Sequence, residues 1–86
     1  MTIWKFILDG QVMMPKGAKV LSVQIQHGQT CVWALVDPTQ PKVQRDLRIV
    51  GTGWDVPDEM IGWPFVGTFQ LADGVMVFHV FDGGEI

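Results

Sequence analysis

The chain has no tyrosine, one cysteine and, beyond Arg48, neither lysine nor arginine. A lone cysteine excludes an intramolecular disulfide, so the fold needs no oxidising compartment. There is no cysteine doublet, no His-x-x-x-His and no spaced carboxylate pair, so neither a metal nor any other cofactor is expected. No apolar run approaches the roughly 20 residues of a membrane-spanning helix. The longest, Val75 to Phe81, is interrupted by His79. Met1 to Lys5 lacks the basic start and small-residue cleavage site of a secretory signal. Sustained apolar spacing at three and four residues is missing too, which excludes a long helix. These absences predict a cytoplasmic protein with no membrane partner.

What remains is an 86-residue chain, one domain spanning 1–86, with 48% hydrophobic residues. That supply builds a core without metal or disulfide staples. All six basic residues (Lys5, Lys16, Lys19, Lys42, Arg45, Arg48) fall in the first 48 positions against three acids, a net +3. From Ile49 onward six acids stand unopposed, a net −6. Uneven charge either decorates exposed loops or steers a subunit or partner into place. The basic half is too sparse for strong nucleic-acid binding.

The strand signals run Thr2–Leu8, Val12–Met14, Lys19–His27, Thr30–Val36, Val43–Val50, Phe65–Leu71 and Val75–Phe81. Met14-Pro15-Lys16-Gly17 reads as a type I turn. Arg45 shares the apolar side of its strand, which places either that strand at a sheet edge or its start outside the core. Pro57-Asp58-Glu59 opens one helical turn near 57–61, since proline and acids suit a helix start. Asp82 to Ile86 reads as a frayed tail. Short strands punctuated by glycine and proline predict an all-β fold, a small antiparallel sandwich or barrel of about six strands.

Both hairpins carry one apolar face and one mixed face. Around Gly28-Gln29 the apolar set is Leu21, Val23 and Ile25 with Val32, Ala34 and Val36, and the mixed set includes Val20, Gln24, Cys31, Trp33 and Leu35. Around Asp73-Gly74 the apolar set is Phe65, Phe69, Leu71, Met76, Phe78 and Val80, and the mixed set includes Val66, Thr68, Gln70, Val77, His79 and Phe81. Parity sets Thr68 opposite His79 and Gln24 opposite Trp33. The mixed faces are too apolar for plain solvent and too polar for plain core, which points to burial against a second subunit or around a ligand.

Cys31, His27, His79 and Asp37 are the only set resembling a nucleophile with a base. Parity separates His27 from Cys31, and a buried cysteine with no neighbouring cation is ordinarily inert. Gly51-Thr52-Gly53 follows a strand, yet no helix or lysine follows to hold a phosphate, so a turn that requires glycine explains it better. Trp54 and Trp63 fall in irregular sequence, where they either cap the core as a lid or form a contact surface.

Trp4-Lys5-Phe6, Met14 to Ala18, Leu21 to Gln24, Trp33 to Pro38, Gly51-Thr52-Gly53, Gly67 to Gln70 and Val77 to Phe81 resemble a family of small proteins of bacteriophages, prophages and their bacterial hosts. The segment from Trp54 to Trp63 departs from that pattern. The resemblance brings no catalytic residues. It implies an accessory protein inside a bacterial host cell, of the kind that neutralises host defences by docking on a protein or sequestering a nucleotide-like ligand. The expected function is therefore non-enzymatic binding by a homo-oligomer. Its contact residues are Trp33, Gln24, Thr68, His79, Thr52, Trp54 and Trp63, as aromatic anchors and orienting hydrogen bonds. A virion or assembly component and a small enzyme using Cys31 or His79 are the alternatives.

Overall fold

A computed structural model describes residues 1–86. Seven strands run β1 Thr2–Ile7, β2 Val12–Pro15, β3 Lys19–Gln26, β4 Gln29–Val36, β5 Lys42–Gly51, β6 Phe65–Leu71 and β7 Met76–Glu85. The single helical element is a 3-10 turn at Asp58–Met60, where proline and the acids predict one. The strands form two antiparallel sheets, ordered β1-β4-β3 and β2-β5-β7-β6. The all-β expectation holds, and each of the seven strand signals is a strand. Both sheets are open-edged, which makes the fold a sandwich and not a closed barrel.

The core is drawn from both sheets. Met14, Val32, Ala34, Val36 and Val80 are fully buried, and Val12, Ala18, Val23 and Phe69 complete the cluster with them. The sheets come closest where β3 meets β6: a Cβ on Gly67 would stand 2.9 Å from Val23 Cγ1.

The β3–β4 hairpin turns on His27-Gly28, both at positive φ (52° and 77°). Two left-handed residues make a turn whose twist matches that of the strands, and glycine takes the second place without strain. The pairing is therefore displaced by two residues from the expected one: Gln24 lies opposite Cys31, and Trp33 opposite Ser22. A shift of two preserves the faces. A bulge between Val20 and Ser22 does not, and it sends Val20 toward the core and Leu21 out to solvent.

In the β6–β7 hairpin the expected register is present, with Thr68 opposite His79. A bulge between Phe65 and Gly67 again exchanges two residues. Val66 packs against the core, while Phe65 is exposed beside Phe81, ring centroids 5.5 Å apart. Met76, assigned to the apolar face, is exposed because the hairpin tip outruns the core.

Three further expectations are corrected. β5 is an inner strand between β2 and β7, not an edge. Arg45 is tolerated on its inner side because Asp82 accepts two hydrogen bonds from it, at 2.9 and 2.7 Å, and the Ala18 carbonyl a third at 2.7 Å. The C-terminal residues are not frayed. β7 continues to Glu85, whose carboxylate accepts from the Gly17 amide at 2.6 Å, and the Ile86 amide donates to the Gln44 carbonyl at 3.0 Å. The turn after β2 is Pro15–Ala18, one residue later than expected, closed by the Ala18 amide on the Pro15 carbonyl.

Candidate functional site

His79 lies at the centre of the four-stranded sheet, on the face turned away from the core. Its neighbours across the ladder are Val50 on β5 and Thr68 on β6. Thr52, one residue past β5, continues the same face. The Thr52 hydroxyl meets Nε2 of His79 at 2.7 Å and the Thr68 hydroxyl meets Nδ1 at 2.9 Å. A hydroxyl both donates and accepts, so the two threonines satisfy either tautomer of the ring. With both nitrogens engaged, the imidazole is fixed in orientation. The Thr52 hydroxyl also reaches the Val77 carbonyl at 3.3 Å, which ties the segment after β5 to β7.

Beside this cluster the chain turns at Gly51–Trp54, where the Trp54 amide donates to the Gly51 carbonyl at 3.1 Å and Gly53 takes φ 86°. The Trp54 indole then lies flat on Gly51, so that any Cβ there would stand 2.5 Å from the ring. Trp54 meets Phe78 edge-on at 6.0 Å, and Phe78 stacks on Phe69 at 5.4 Å, which links the indole to the core. Even so, 61% of Trp54 stays exposed. It forms one wall of an open cleft of about 490 Å³, lined also by Gly51, Thr52 and Val75 to Phe78. The lining holds no charged residue. Asp55 follows Trp54 and Asp73 lies in the turn before Val75, so the nearest formal charges along the chain are negative. In that turn Ala72, Asp73 and Gly74 are all left-handed (φ 52°, 55° and 86°).

Trp63 has a different place. It covers Gly83, whose added Cβ would stand 2.5 Å from the ring, and the Arg48 guanidinium lies 5.2 Å above it. Arg48 in turn pairs with Asp46 and Glu59, and its hydrogen bonds to Asp46 and then Glu59 hold its pKa above the ordinary value. Met60 and the outward-facing Val50 are buried beyond the main core cluster. Since β2 covers only the first part of β5, the segment from Thr52 to Pro64 wraps the strand's uncovered margin. Trp54 ends on the core side and Trp63 on the outer side. Trp63 is thus a cover, while Trp54 is half cover and half open wall.

Trp33 and Gln24 are on the outer face of the other sheet, and the structure does not bring them to His79. Cys31, on that same sheet, is buried with its thiol 3.6 Å from the Gln29 carbonyl. The two mixed faces look away from each other, so Cys31 and His79 do not meet. No three His, Cys, Asp or Glu side chains converge as a metal-holding group. No helix is long and apolar enough to cross a membrane.

Of the expected contact residues the structure joins Thr52, Thr68 and His79 by hydrogen bonds on the outer face, while Trp54, on the core side, shares only Thr52 with them, through the lining of the cleft. The lining contributed by Gly51 and Phe78 had one sequence signal, a glycine ending a strand three residues before a tryptophan. The model of a family described as "Domain of unknown function (DUF7352)" matches residues 1–85. No curated protein and no solved structure matches the chain.

Proposed function

The chain belongs to the DUF7352 family, and we propose that it is a non-enzymatic binding protein whose contact site is the Trp54 cleft with the Thr52–His79–Thr68 cluster at its margin. The carrying observation is the exposed indole, held on Gly51 as the wall of a cleft whose lining includes Thr52, the residue that also bonds His79. A preformed apolar wall with a few oriented polar groups is what recognition needs. Both ring nitrogens of His79 are occupied by structural hydrogen bonds, which favours a positioning role over proton transfer.

The charge around the cleft selects the class of partner. All six lysines and arginines lie in the first 48 residues, and none lines the cleft. A phosphate-bearing ligand would find no cation in the lining, and the charges nearest to it along the chain, Asp55 and Asp73, are negative, so a protein partner offering basic and apolar side chains is favoured over a nucleotide. The likeness of the sequence to phage and prophage proteins supports a host bacterial protein as that partner, with neutralisation of a defence as the outcome.

Affinity capture from infected bacterial cells tests the reading. The wild-type chain is expected to retain a defined partner that Trp54→Ala and His79→Ala lose, at least tenfold in recovered amount. Unchanged capture by both folded variants refutes the site. Titration with nucleotides is expected to leave tryptophan fluorescence unaltered, and a saturable change reverses the choice of partner.

A further inference from the structure

The two sheets present four edge strands: β1 and β3 in one, β2 and β6 in the other. An open edge offers unpaired amides and carbonyls, and proteins that stay single blunt it with proline, brevity, bulges or outward lysines. Three of these edges are blunted. β2 has four residues and ends in Pro15; β3 is bulged at Leu21; β6 is bulged at Val66.

β1 carries no such device. Its six residues pair with β4 in unbroken register from Thr2 opposite Val36 to Ile7 opposite Cys31. It is apolar and open, with Ile3 56%, Trp4 37% and Ile7 46% exposed. Its one charge does not guard the edge, because Lys5 Nζ reaches back across β4 and donates to Gln26 Oε1 at 2.7 Å.

We propose that β1 pairs antiparallel with β1 of a second copy about a two-fold axis, which joins two three-stranded sheets into one of six strands. The ladder restricts the register. The Leu8 amide donates to the Thr30 carbonyl at 2.9 Å, so the even-numbered residues of this strand turn their backbone groups toward β4. Ile3 and Lys5 therefore present theirs to the open edge, and Ile7 its amide, since its carbonyl already accepts from the Asp9 amide at 3.1 Å. Two-fold pairing must exchange bonds among these odd residues. Setting Lys5 opposite Lys5 would crowd two lysine stems at the seam, and setting Lys5 opposite Ile7 would need the carbonyl that the Asp9 amide occupies. Setting Ile3 opposite Lys5 of the other copy avoids both, and brings Trp4 opposite its own counterpart at the closer, non-hydrogen-bonded spacing. A strand with one charge that aligns with isoleucine is complementary to itself. The partner is accordingly a second copy of this chain. The cleft is on the other sheet, so this pairing stands or falls independently of the function proposed above.

Light scattering on the full chain is expected to give twice the 9.6 kDa chain mass. Ile3→Pro removes one outward amide and leaves the β4 ladder intact, and is expected to yield a folded monomer by circular dichroism. Trp4→Cys is expected to cross-link through a disulfide on mild oxidation, since the two Cα atoms would be close enough, while Lys5→Cys stays uncrosslinked. Cys31 is buried and does not compete. A wild-type chain that stays monomeric at the highest attainable concentration overturns the proposal. So does a folded Ile3→Pro dimer, or cross-linking of Lys5→Cys in preference to Trp4→Cys. Should Ile3→Pro fail to fold, the wild-type mass and the two cysteine variants still decide.

Discussion

Arg45 and Asp82 show how one residue pair sets the extent of a strand. Their side chains are only 12% and 10% exposed, and the contact is a two-pronged one. Burial pushes the Asp82 carboxyl up, but the Arg45 guanidinium and the Gly84 amide outweigh it and hold the carboxyl below the usual range. The unfolded chain therefore takes up its proton first as acid is added. The pair's stabilisation is complete above the unfolded carboxyl value of about 3.9 and is lost as pH falls through the lower, folded one. Asp82→Asn leaves a buried guanidinium without its counter-charge, at a cost on the order of 3 kcal/mol near neutrality. Denaturant titrations between neutral and acid pH are expected to show that loss together with a flatter acid limb. Some slope survives, because Asp37, held low by its hydrogen bonds from Thr39, titrates in the same direction. An acid limb as steep as that of the wild type would refute the assignment. The sequence showed the two partners but not their pairing, since they stand 37 residues apart. The bond between Thr68 and His79 was legible, because hairpin parity alone sets the two opposite each other. The bond from Thr52 was not, because it depends on how the chain leaves β5.

At the scale of the element, bulges decide which residues are inside. Alternation along Phe65–Leu71 assigns Phe65 to the core and Val66 to the outer face, and the extra residue at Val66 reverses both. The same inversion sends Leu21 out and Val20 in. Lysine at the two positions separates the readings. Val66→Lys buries an ammonium and is expected to cost several kcal/mol. Phe65→Lys loses only the ring contact with Phe81, about 1 kcal/mol. Urea midpoints measure the difference, and equal losses would contradict the observed register. Both bulges fall on β3 and β6, the strands by which the sheets touch. Nothing in the residues marks a bulge, because it arises from fitting two twisted sheets over one core.

Across the whole molecule, the division of charge seen along the sequence is partly undone by folding, since Arg45 pairs with Asp82 and Arg48 with Glu59. Lys42 and Gly51 terminate β5, and ten extended residues separate its ends by roughly 30 Å. Lys16 lies beside the first end, where Pro15 pairs with Lys42, while Asp55 and Asp73 lie near the other with the cleft. The last five residues close the basic end. A chain ending at Phe81 would lose the partner of Arg45 and the bonds from Gly17 and Ile86. Each neutral hydrogen bond contributes about 1 kcal/mol and the severed ion pair about 3, against a typical total of 5–15. Thermal unfolding by circular dichroism is expected to show a much lowered or absent transition. An unchanged transition would mean that the segment is frayed after all.

Periodicity along the chain was enough to settle the fold class, the strands to within a few residues, and the face each hairpin turns inward away from its bulges. Those features follow from nearest-neighbour sterics and the two-residue repeat of a strand, which act locally. Sheet order, the inner place of β5, the wrap of Thr52 to Pro64 and the separation of Trp33 from His79 needed the folded molecule. They depend on which apolar faces meet and which buried charge finds its opposite, and such contacts join residues that chain order keeps far apart.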